Sequence, residues 1–434
     1  MKSGDALLAA WEETLGRKGD EPAIFDTRGK VQRTFRDVEN RAEELTAEIS
    51  GPVYPIDIGN QPDWPSHLLA ALRRSVVALP LESSITPAQR ENALRLCADG
   101  DWDKEQTVLL KLTSGTTAAP RVIRFRSEQL LADCIHICDT MGIRNDDVNF
   151  AVIPLSHSYG FSNLVTPLLA RGVAMVLSRD RMPRAVLDDL ARTGATVFPG
   201  MPVFYQSFCE MQTMPALPKL RLCISAGAPL PLEVARKFRE KSGHAIHSFY
   251  GASECGGICY DREARLDEAC FVGPPMNGVI IETLETGQIR VQSRAAGDGY
   301  FPEPDKAKLG DGFFTPDDLL TRSDNGFRIV GRVSDVINVA GKKVNPAEIE
   351  AELLRFTGVR GAVVFGRESV LRNEEVAACV AVSAEIREAD LLDFCRRRLS
   401  GWQVPKRIFF VEEIPVNERG KVSRRELAQR FAGK

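Results

Sequence analysis

The stretch LLKLTSGTTAAPRVIRF, residues 109–125, places four hydroxyl side chains around one glycine directly after a short apolar run. The apolar run has the length and composition of a buried strand. A Ser/Thr/Gly loop after a strand can present N–H groups and hydroxyls to phosphate oxygens, and Gly115 allows the backbone to approach closely. The loop is not a Walker loop, because no Gly-Lys-Ser/Thr follows. Taken alone, the stretch fits a phosphate-binding loop or an ordinary polar turn equally well.

The composition indicates a soluble globular protein of more than one folding unit. The chain has 434 residues, of which 44% are hydrophobic and 26% charged, a length that suggests two or three units. The formal net charge of −3 produces no field that would favour nucleic acid or a membrane surface as a partner. The N-terminus lacks the basic and apolar regions of a signal peptide, and we find no apolar run long enough for a membrane span.

Cysteine usage predicts a reducing, cytoplasmic location. The ten cysteines are scattered, and several lie in apolar runs, where a thiol behaves as a small hydrophobic group. One group, His244, His247, Cys255 and Cys259, has ligand types that zinc uses, but it lacks a paired CxxC spacing. We therefore expect these four residues to belong to the core and to the walls of a site.

Strand-length apolar runs alternate with helical segments as far as about residue 270, which predicts α/β layers with largely parallel sheets. The strand candidates are TVLLKL (107–112), VNFAVIPL (148–155), VAMVLS (173–178), ATVFP (195–199) and LRLCISAG (220–227). The helix candidates between them are SEQLLADCIHICDTMG (127–142), PRAVLDDLARTG (183–194) and PLEVARKFREKSG (231–243). The last two candidates end on glycine, a usual C-terminal stop.

The pattern changes after about residue 270 to short strands and tight turns, with Asp324-Asn325-Gly326 as a hairpin signal. A small α+β pattern follows. We therefore predict a large N-terminal domain of layered α/β subdomains with a small β-rich subdomain, residues 1–332. A small mobile α+β C-terminal domain, residues 333–434, completes the chain.

Three further stretches contain side chains suited to chemistry. SFYGASECGG (248–257) places Glu254 in a glycine-rich turn, where a carboxylate could bind Mg²⁺ together with substrate phosphates. GFRIVGRVSDVINVAGKKVNPAEIE (326–350) and PVNERGKVSRREL (415–427) follow, the latter with Lys421 in a polar turn. Alone, Glu254 and Lys421 also fit ordinary solvated charges.

The four stretches in this order resemble the motifs of the adenylate-forming superfamily, which includes acyl- and aryl-CoA synthetases, peptide-synthetase adenylation domains and luciferases. The resemblance covers most of the chain, from FRDVENRAEELTAEI (35–49) to Lys421. It is closest to a compact, stand-alone acyl- or aryl-CoA ligase.

The resemblance implies a nucleotide site built from three segments. The loop on the β- and γ-phosphates of ATP would be Thr113, Ser114, Gly115, Thr116 and Thr117. The segment beside the adenine would be Ser225-Ala226-Gly227-Ala228-Pro229. In the third segment Tyr250 and Gly251 would lie against the adenine, Ser253 near phosphate, and Glu254 on Mg²⁺.

The resemblance also assigns residues to the other substrates. Asp318 would bind the ribose hydroxyls, and Arg332 the ribose or the α-phosphate. Lys421 would bridge the substrate carboxylate and the α-phosphate. His157, in PLSHSYGF, would lie near the acyl pocket, and Gly341 would let the pantetheine arm of the thiol acceptor pass. Lys421, Glu254 and His157 are thus the catalytic candidates.

The sequence departs from the family pattern after the phosphate loop. The usual Gly-x-Pro-Lys is Ala118-Ala119-Pro120-Arg121 here. Ala118 should stiffen the loop, and Arg121 replaces a compact ammonium by a planar guanidinium.

Two assignments near the domain boundary stay open. The usual Thr-Gly-Asp is Pro316-Asp317-Asp318, which leaves Asp317 and Asp318 in competition for the ribose. The hinge between the domains falls on Ser334 or Asp335. The N-terminal part is shorter than in the family, so we expect a shortened N-terminal subdomain.

The resemblance implies an AMP-forming acid–thiol ligase that uses ATP, Mg²⁺ and CoA, with no need for a general base because the acid is already ionised near neutral pH. Two alternatives stay open: a ligase that loads the phosphopantetheine of a discrete acyl carrier protein, and a non-catalytic nucleotide-binding relative. Apolar residues at pocket positions favour an aryl or short-to-medium acyl acid, although several fit the sheet core as well. They are His157, Tyr159, Phe161, Phe198, Met201, Phe204, Phe249 and Ile258.

Overall fold

The computed structural model describes residues 5–102, 106–113, 121–284, 288–369, 373–415 and 423–431. Its contacts divide the chain into two compact units, residues 1–316 with 322–328 and residues 317–321 with 329–434. The chain is therefore a mixed α/β protein with a large N-terminal and a small C-terminal domain, as predicted. The exact boundary after residue 332 stays a prediction.

The elements of the described residues follow the alternation seen in the sequence. The strands are β1 (Pro22–Phe25), β2 (Val31–Thr34), β3 (Val53–Ile56), β4 (Val77–Pro80), β5 (Leu109–Leu112), β6 (Val122–Phe125), β7 (Val148–Ala151), β8 (Ala174–Leu177), β9 (Val197–Gly200), β10 (Leu222–Ser225), β11 (Ile246–Ala252), β12 (Gly256–Tyr260), β13 (Phe271–Gly273), β14 (Val279–Thr283), β15 (Ile289–Ser293), β16 (Gly299–Phe301), β17 (Leu309–Gly310), β18 (Phe313–Phe314), β19 (Asp318–Ser323), β20 (Gly326–Arg332), β21 (Ile337–Val339), β22 (Lys342–Val344), β23 (Val359–Ser369), β24 (Asn373–Val382) and β25 (Arg407–Val411). The helices are α1 (Ala6–Lys18), α2 (Phe35–Thr46), α3 (Trp64–Arg73), α4 (Pro87–Cys97), α5 (Ser127–Met141), α6 (Ser158–Gly160), α7 (Thr166–Arg171), α8 (Pro183–Thr193), α9 (Pro202–Glu210), α10 (Leu232–Ser242), α11 (Pro346–Leu353), α12 (Glu388–Arg396) and α13 (Arg424–Arg430).

An eight-stranded sheet in the order β12-β11-β10-β9-β7-β8-β1-β2 forms the centre of the first unit. Its inner strands are parallel, and only the edge pairs β1–β2 and β11–β12 are antiparallel. Strands β8, β9 and β10 are buried along their whole length, which is why they appear as continuous apolar runs. After β7, the chain adds β8 on one side of that strand and β9 on its other side, so the direction in which strands are added reverses at β7. Ligands of such sheets bind at the carboxyl ends of the strands near this reversal.

The predicted glycine stops are present at the ends of the helices that cover this sheet. Gly194 after α8 and Gly243 after α10 have left-handed φ angles of 64° and 77°, a conformation that glycine adopts without steric cost. The predicted Asp324-Asn325 turn likewise joins β19 to β20.

A five-stranded sheet in the order β16-β6-β5-β4-β3 carries the opening stretch. Strands β5 and β6 form an antiparallel hairpin with Leu112 opposite Val122, and β16 adds to β6 with Tyr300 opposite Ile123. The first unit also contains a sheet in the order β14-β15-β18-β17, and β13 pairs with β20.

The second unit is built on the sheet β22-β21-β24-β23, with β25 beside β24. Ile349 of α11 and Leu391 of α12 pack on Val364 and Val380 of this sheet, and Leu427 of α13 packs in a second apolar cluster. Within the described ranges, no helix is long and apolar enough to cross a membrane.

Candidate functional site

The opening stretch is a β-hairpin whose loop begins at Thr113 and ends at Arg121. The backbone N–H of Thr113 donates to the carbonyl of Arg121 at 2.9 Å, and its hydroxyl donates to the same oxygen at 3.0 Å. The predicted phosphate-binding residues Ser114, Gly115, Thr116 and Thr117 lie outside the described residues, as does Ala118. The described part therefore fixes where the loop starts and ends.

Lys111, two residues before the loop, is a buried cation that the sequence did not single out. Its ammonium nitrogen lies 4.5 Å from the centroid of the Phe125 ring and 5.3 Å from that of Phe161. Burial lowers the pKa of Lys111, while the nearby Asp133 and Glu254 carboxylates act in the opposite direction. A buried amine therefore lies two residues before the start of the loop.

Glu254 lies in the short turn between β11 and β12, where Ala252 pairs with Gly256. The half-buried carboxylate accepts a hydrogen bond from the hydroxyl of Tyr300 at 3.0 Å. The same tyrosine also contacts the hairpin, because the guanidinium of Arg121 lies 4.3 Å from the centroid of the Tyr300 ring. The metal-ligand candidate and the end of the phosphate loop therefore flank one tyrosine.

The Glu254 carboxylate fits Mg²⁺, which in nucleotide sites binds one or two carboxylates and completes its shell with phosphates and water. Among the described residues, no group of three or more His, Cys, Asp or Glu side chains could hold a metal ion. Of the four residues considered above as zinc ligands, Cys255 and Cys259 are buried. A third, His247, contacts the carbonyl of Asp261 through its Nδ1 at 2.8 Å.

The segment after β7 meets the Glu254 turn through two serines. The hydroxyl of Ser158 donates to that of Ser253 at 2.9 Å. His157 is exposed at the start of α6, and its Nδ1 accepts the backbone N–H of Tyr159 at 3.3 Å. The structure therefore brings the predicted acyl segment and the predicted metal turn together.

The predicted adenine segment follows β10 at the carboxyl edge of the large sheet. The N–H of Ala226 donates to the carbonyl of Gly200 at 3.3 Å, and Gly227, with φ of 85°, turns the chain outward. Ala226 is buried, whereas Gly227 and Ala228 are exposed. The hydroxyl of Ser225 is buried with no hydrogen-bond partner in the described part of the chain.

Tyr250 and Gly251 lie on the neighbouring strand β11, which runs parallel to β10. Tyr250 is buried and pairs with Cys259, while Gly251 is exposed and pairs with Gly257. These two residues and the Gly227 turn thus stand at the ends of adjacent strands.

The aromatic pocket candidates divide into two groups. Phe198 and Phe204 pack against each other and against Phe208 in a buried aromatic cluster, and Phe161 packs edge-on against Trp64. Their rings belong to the core, which is the alternative raised from the sequence.

The remaining candidates lie closer to the sheet edge. The ring of Tyr159 lies 5.9 Å from that of Phe249, and its hydroxyl donates to the carbonyl of Gly200 at 3.2 Å. Met201 follows β9 and is exposed, while Ile258 on β12 is fully buried.

In the second unit, Nε of Arg332 donates to the Asp318 carboxylate at 2.7 Å. Asp317 uses its carbonyl, which accepts the N–H of Val333 at 2.7 Å. The Asp318 carboxylate therefore lies beside the predicted ribose-binding arginine.

The hinge candidates lie in a 3-10 turn at Val333–Asp335. The Asp335 carboxylate pairs with Arg424 at 2.6 Å, and Arg424 also pairs with Glu350 at 2.8 Å. Lys421 lies outside the described residues, three positions before Arg424.

Gly341 forms, with Ala340, a two-residue turn between β21 and β22. Both have left-handed φ angles, 86° and 52°, as a primed hairpin turn requires. A Cβ placed at Gly341 would meet no atom of the described residues within 4 Å apart from its chain neighbours. Beside it, the ammonium of Lys342 lies 3.5 Å from the centroid of the Trp402 ring, which is 40% exposed.

A cavity of about 610 Å³ lies elsewhere in the first unit, at the carboxyl ends of the paired strands β1 and β8. Its lining includes Asp26, Gln32, Asn60, Arg179 and Asp189. None of the predicted site residues that the structure describes is among its lining residues.

Tyr300, Ser158 and Lys111 are site residues that the sequence analysis missed. Tyr300 follows a Gly-Asp-Gly turn far along the chain from Glu254, and no local pattern connects the two. Lys111 could have been noticed as a lone charge within an apolar strand.

Comparison with known proteins places these features in a family. The model of the AMP-binding enzyme family matches residues 96–300, and that of the AMP-binding enzyme C-terminal domain matches residues 348–421. A 3,4-dihydroxybenzoate–[aryl-carrier protein] ligase of Bacillus anthracis is 29% identical over 80% of this chain and 82% of its own length. A feruloyl-CoA synthase of an Amycolatopsis species is 28% identical over 75% of this chain and 70% of its own. The crystal structure of ATP-bound MatB from Rhodopseudomonas palustris has the same fold, with a TM-score of 0.85 at 24% identity over 99% of both chains.

Proposed function

Because this chain belongs to the adenylate-forming superfamily of AMP-binding enzymes and is an AMP-forming ligase, we propose that it activates an aryl or short-to-medium acyl acid. In this proposal ATP and the acid give an acyl-adenylate and pyrophosphate. The acyl group then passes to the thiol of CoA.

One observation carries the assignment of the site. The hydroxyl of Tyr300 bonds Glu254 at 3.0 Å while Arg121, at the end of the predicted phosphate loop, stacks on the same ring at 4.3 Å. Two motifs that are far apart in sequence thus contact the same tyrosine. A site for ATP needs its phosphate loop and its cation ligand to lie close together in this way.

In the first step the acid's carboxylate attacks the α-phosphate in line and pyrophosphate leaves. The negative charge that develops on the phosphoryl oxygens needs fixed donors and cations rather than a general base. We assign this work to Lys421, to the N–H groups and hydroxyls of residues 113–117, and to Arg332. The pairing of Arg332 with Asp318 supports Asp318 as the ribose ligand, with Asp317 as the alternative.

Glu254 would hold Mg²⁺, which when bound neutralises phosphate charge. A half-buried carboxylate fixed by a hydrogen bond suits a hard cation that prefers oxygen ligands. Tyr250, Gly251 and residues 226–228 would bind the adenine at the carboxyl ends of β10 and β11.

An aromatic or medium apolar acid suits the residues at the other side of the Glu254 turn. The rings of Tyr159 and Phe249 lie 5.9 Å apart, and His157 begins the segment that Ser158 ties to Ser253. The relatives that act on 3,4-dihydroxybenzoate and form feruloyl-CoA support an aryl acid.

The acceptor thiol would pass the open Gly341 turn, and CoA is our first candidate. Basic residues could meet its phosphates, although Arg396 already pairs with Asp393 and Arg398 with Glu352. A discrete acyl carrier protein is the second candidate, favoured by the aryl-carrier protein ligase among the relatives. All ten cysteines are free thiols, which supports the proposed cytoplasmic location.

The test is pyrophosphate exchange over a panel of aryl and alkyl acids, with ATP and Mg²⁺ present. Lys421→Ala should reduce exchange about 100-fold or more while ATP binding is retained. Lys406→Ala, which removes an exposed lysine in the same unit, is the matched control and should keep full exchange. Unchanged exchange in Lys421→Ala would contradict the role of that lysine.

CoA and phosphopantetheinylated carrier proteins are then supplied to the adenylate to identify the acceptor. The rival function is a non-catalytic relative, which the altered loop end and Pro316-Asp317 favour. ATP binding by calorimetry without exchange on any acid of the panel would support that rival.

A further inference from the structure

Strand β16 (Gly299–Phe301) connects the two halves of the proposed phosphate site. It is the edge strand of the five-stranded sheet and pairs with β6, with Tyr300 opposite Ile123 and Phe301 opposite Val122. Because β6 begins directly after Arg121, this pairing places Tyr300 beside the end of the loop.

The residues just before Tyr300 are fixed by several bonds. Asp298 accepts two hydrogen bonds from Arg126, at 2.8 and 3.0 Å, and one from Gln129 at 2.8 Å. Its own N–H donates to the carbonyl of Arg124 at 2.9 Å. The segment therefore has little freedom to move relative to the hairpin.

The same segment contacts Glu254 at two points. The N–H of Gly297 donates to the carbonyl of Glu254 at 2.8 Å, and the hydroxyl of Tyr300 donates to its Oε1 at 3.0 Å. One bond fixes the main chain of Glu254, and the other fixes the rotation of its carboxylate.

The ring that carries this hydroxyl is itself enclosed. Tyr300 is 2% exposed, and the planar guanidinium of Arg121 covers its ring. A stacked guanidinium makes this contact in a way that a lysine ammonium does not.

We propose that Tyr300 is a positioning residue for Glu254, which holds the carboxylate in the orientation that binds the divalent cation of the ATP complex. This inference rests on the proposed function. A carboxylate has two oxygens and about four lone-pair positions, so it can accept the tyrosine bond and bind a cation together. Groups that orient a metal ligand in this way change metal affinity about 10- to 100-fold when they are removed.

The experiment compares Tyr300→Phe with Tyr54→Phe. Tyr300→Phe keeps the ring and its contact with Arg121 but removes the hydroxyl. Tyr54 lies on β3, the opposite edge of the same sheet, and its hydroxyl bonds Nδ1 of His67 at 2.7 Å. Both variants lose one hydrogen bond between a tyrosine hydroxyl and a side chain of the same domain.

The measurement is the Kd of Mn²⁺, by calorimetry, for protein saturated with a non-hydrolysable ATP analogue. We expect a Kd about 10-fold higher in Tyr300→Phe and an unchanged value in Tyr54→Phe. The affinity for the analogue in EDTA should be equal in all three proteins. Urea titration of each variant verifies that the fold is retained.

A double-mutant cycle with Glu254→Gln separates positioning from a general structural effect. Once the carboxylate is gone, Tyr300→Phe should cause no further loss of Mn²⁺ affinity. An equal loss of Mn²⁺ affinity with and without Glu254→Gln, or an unchanged Kd in Tyr300→Phe, would overturn the inference. If the wild type still catalyses cation-dependent pyrophosphate exchange, that result leaves the proposed function intact. A wild-type protein without that exchange would overturn the proposed function and this inference together.

Discussion

Gly256, two residues after Glu254, should tolerate no side chain. Its φ is 68°, and a Cβ placed there would lie 2.0 Å from Oδ1 and 2.3 Å from Cγ of Asp133. The Asp133 carboxylate cannot easily move, because Oδ1 accepts the N–H of Gly257 at 2.9 Å and Oδ2 accepts the hydroxyl of Ser162 at 2.5 Å. Gly256→Ala therefore must displace either a buried carboxylate or the strand that follows the Glu254 turn.

The expected loss of stability has two parts. A non-glycine residue in the left-handed region costs about 1–2 kcal/mol. Losing one hydrogen bond to the charged, buried Asp133 costs about 1.5–3 kcal/mol. Gly256→Ala should therefore lower the free energy of unfolding of the first unit by about 2.5–5 kcal/mol.

Gly243→Ala is the matched control. Gly243 also has a left-handed φ, 77°, but within the part of the chain that the structure describes a Cβ there would meet no non-neighbouring atom within 4 Å. Only the backbone cost of about 1–2 kcal/mol should remain. Urea unfolding followed by tryptophan fluorescence measures both variants, since Trp11, Trp64 and Trp102 lie in the first unit and Trp402 in the second. Equal destabilisation by the two variants would refute the argument from Asp133.

Two further predictions concern the pH dependence of stability. Burial alone would raise the pKa of Asp147, but hydrogen bonds from Arg221, from the N–H of Arg144 and from Thr196 lower it below its usual value. The ionised Asp147 carboxylate therefore stabilises the folded state above the pKa of the unfolded chain. This stabilisation is lost as the pH falls through the pKa of the folded state. Arg221→Met should therefore lower the free energy of unfolding by about 2–4 kcal/mol at pH 7. In urea titrations, the difference in unfolding free energy between variant and wild type should shrink below about pH 4. A difference that stays constant with pH would contradict this prediction. Burial lowers the pKa of the Lys111 amine, so the folded protein loses the Lys111 proton at a lower pH than the unfolded chain does. The free energy of unfolding should therefore rise with pH until the unfolded lysine also loses its proton, at about pH 10. Lys111→Met should lose this rise relative to wild type, and parallel curves for the two proteins would exclude it.

Local signals in the sequence predicted local structure well. The glycines after α8 and α10 and the Asp-Asn-Gly turn act within a few residues, so their effect is visible without the rest of the chain. The buried strands of the large sheet were equally visible, because parallel strands covered on both faces need continuous apolar runs.

Contacts between distant segments were not predictable in the same way. The bond between Tyr300 and Glu254 depends on the pairing of β16 with β6, and the ion pair that anchors it, Arg126 with Asp298, spans 172 positions. Nothing in the sequence near Tyr300 indicates its partner. The same limit applies to Phe198 and Phe204, since a strand-end aromatic residue has the same local pattern whether it lines a pocket or packs in a core.

Arg121 also bears on the rival, non-catalytic function. A loop that had lost its role would have no need to keep its altered terminal residue inside the site. Instead, the carbonyl of Arg121 closes the hairpin through Thr113, and its guanidinium stacks on the ring that bonds Glu254. One residue thus supports both the base of the loop and the tyrosine beside the metal-ligand candidate. These contacts of Arg121 therefore favour the proposed catalytic function over the non-catalytic one.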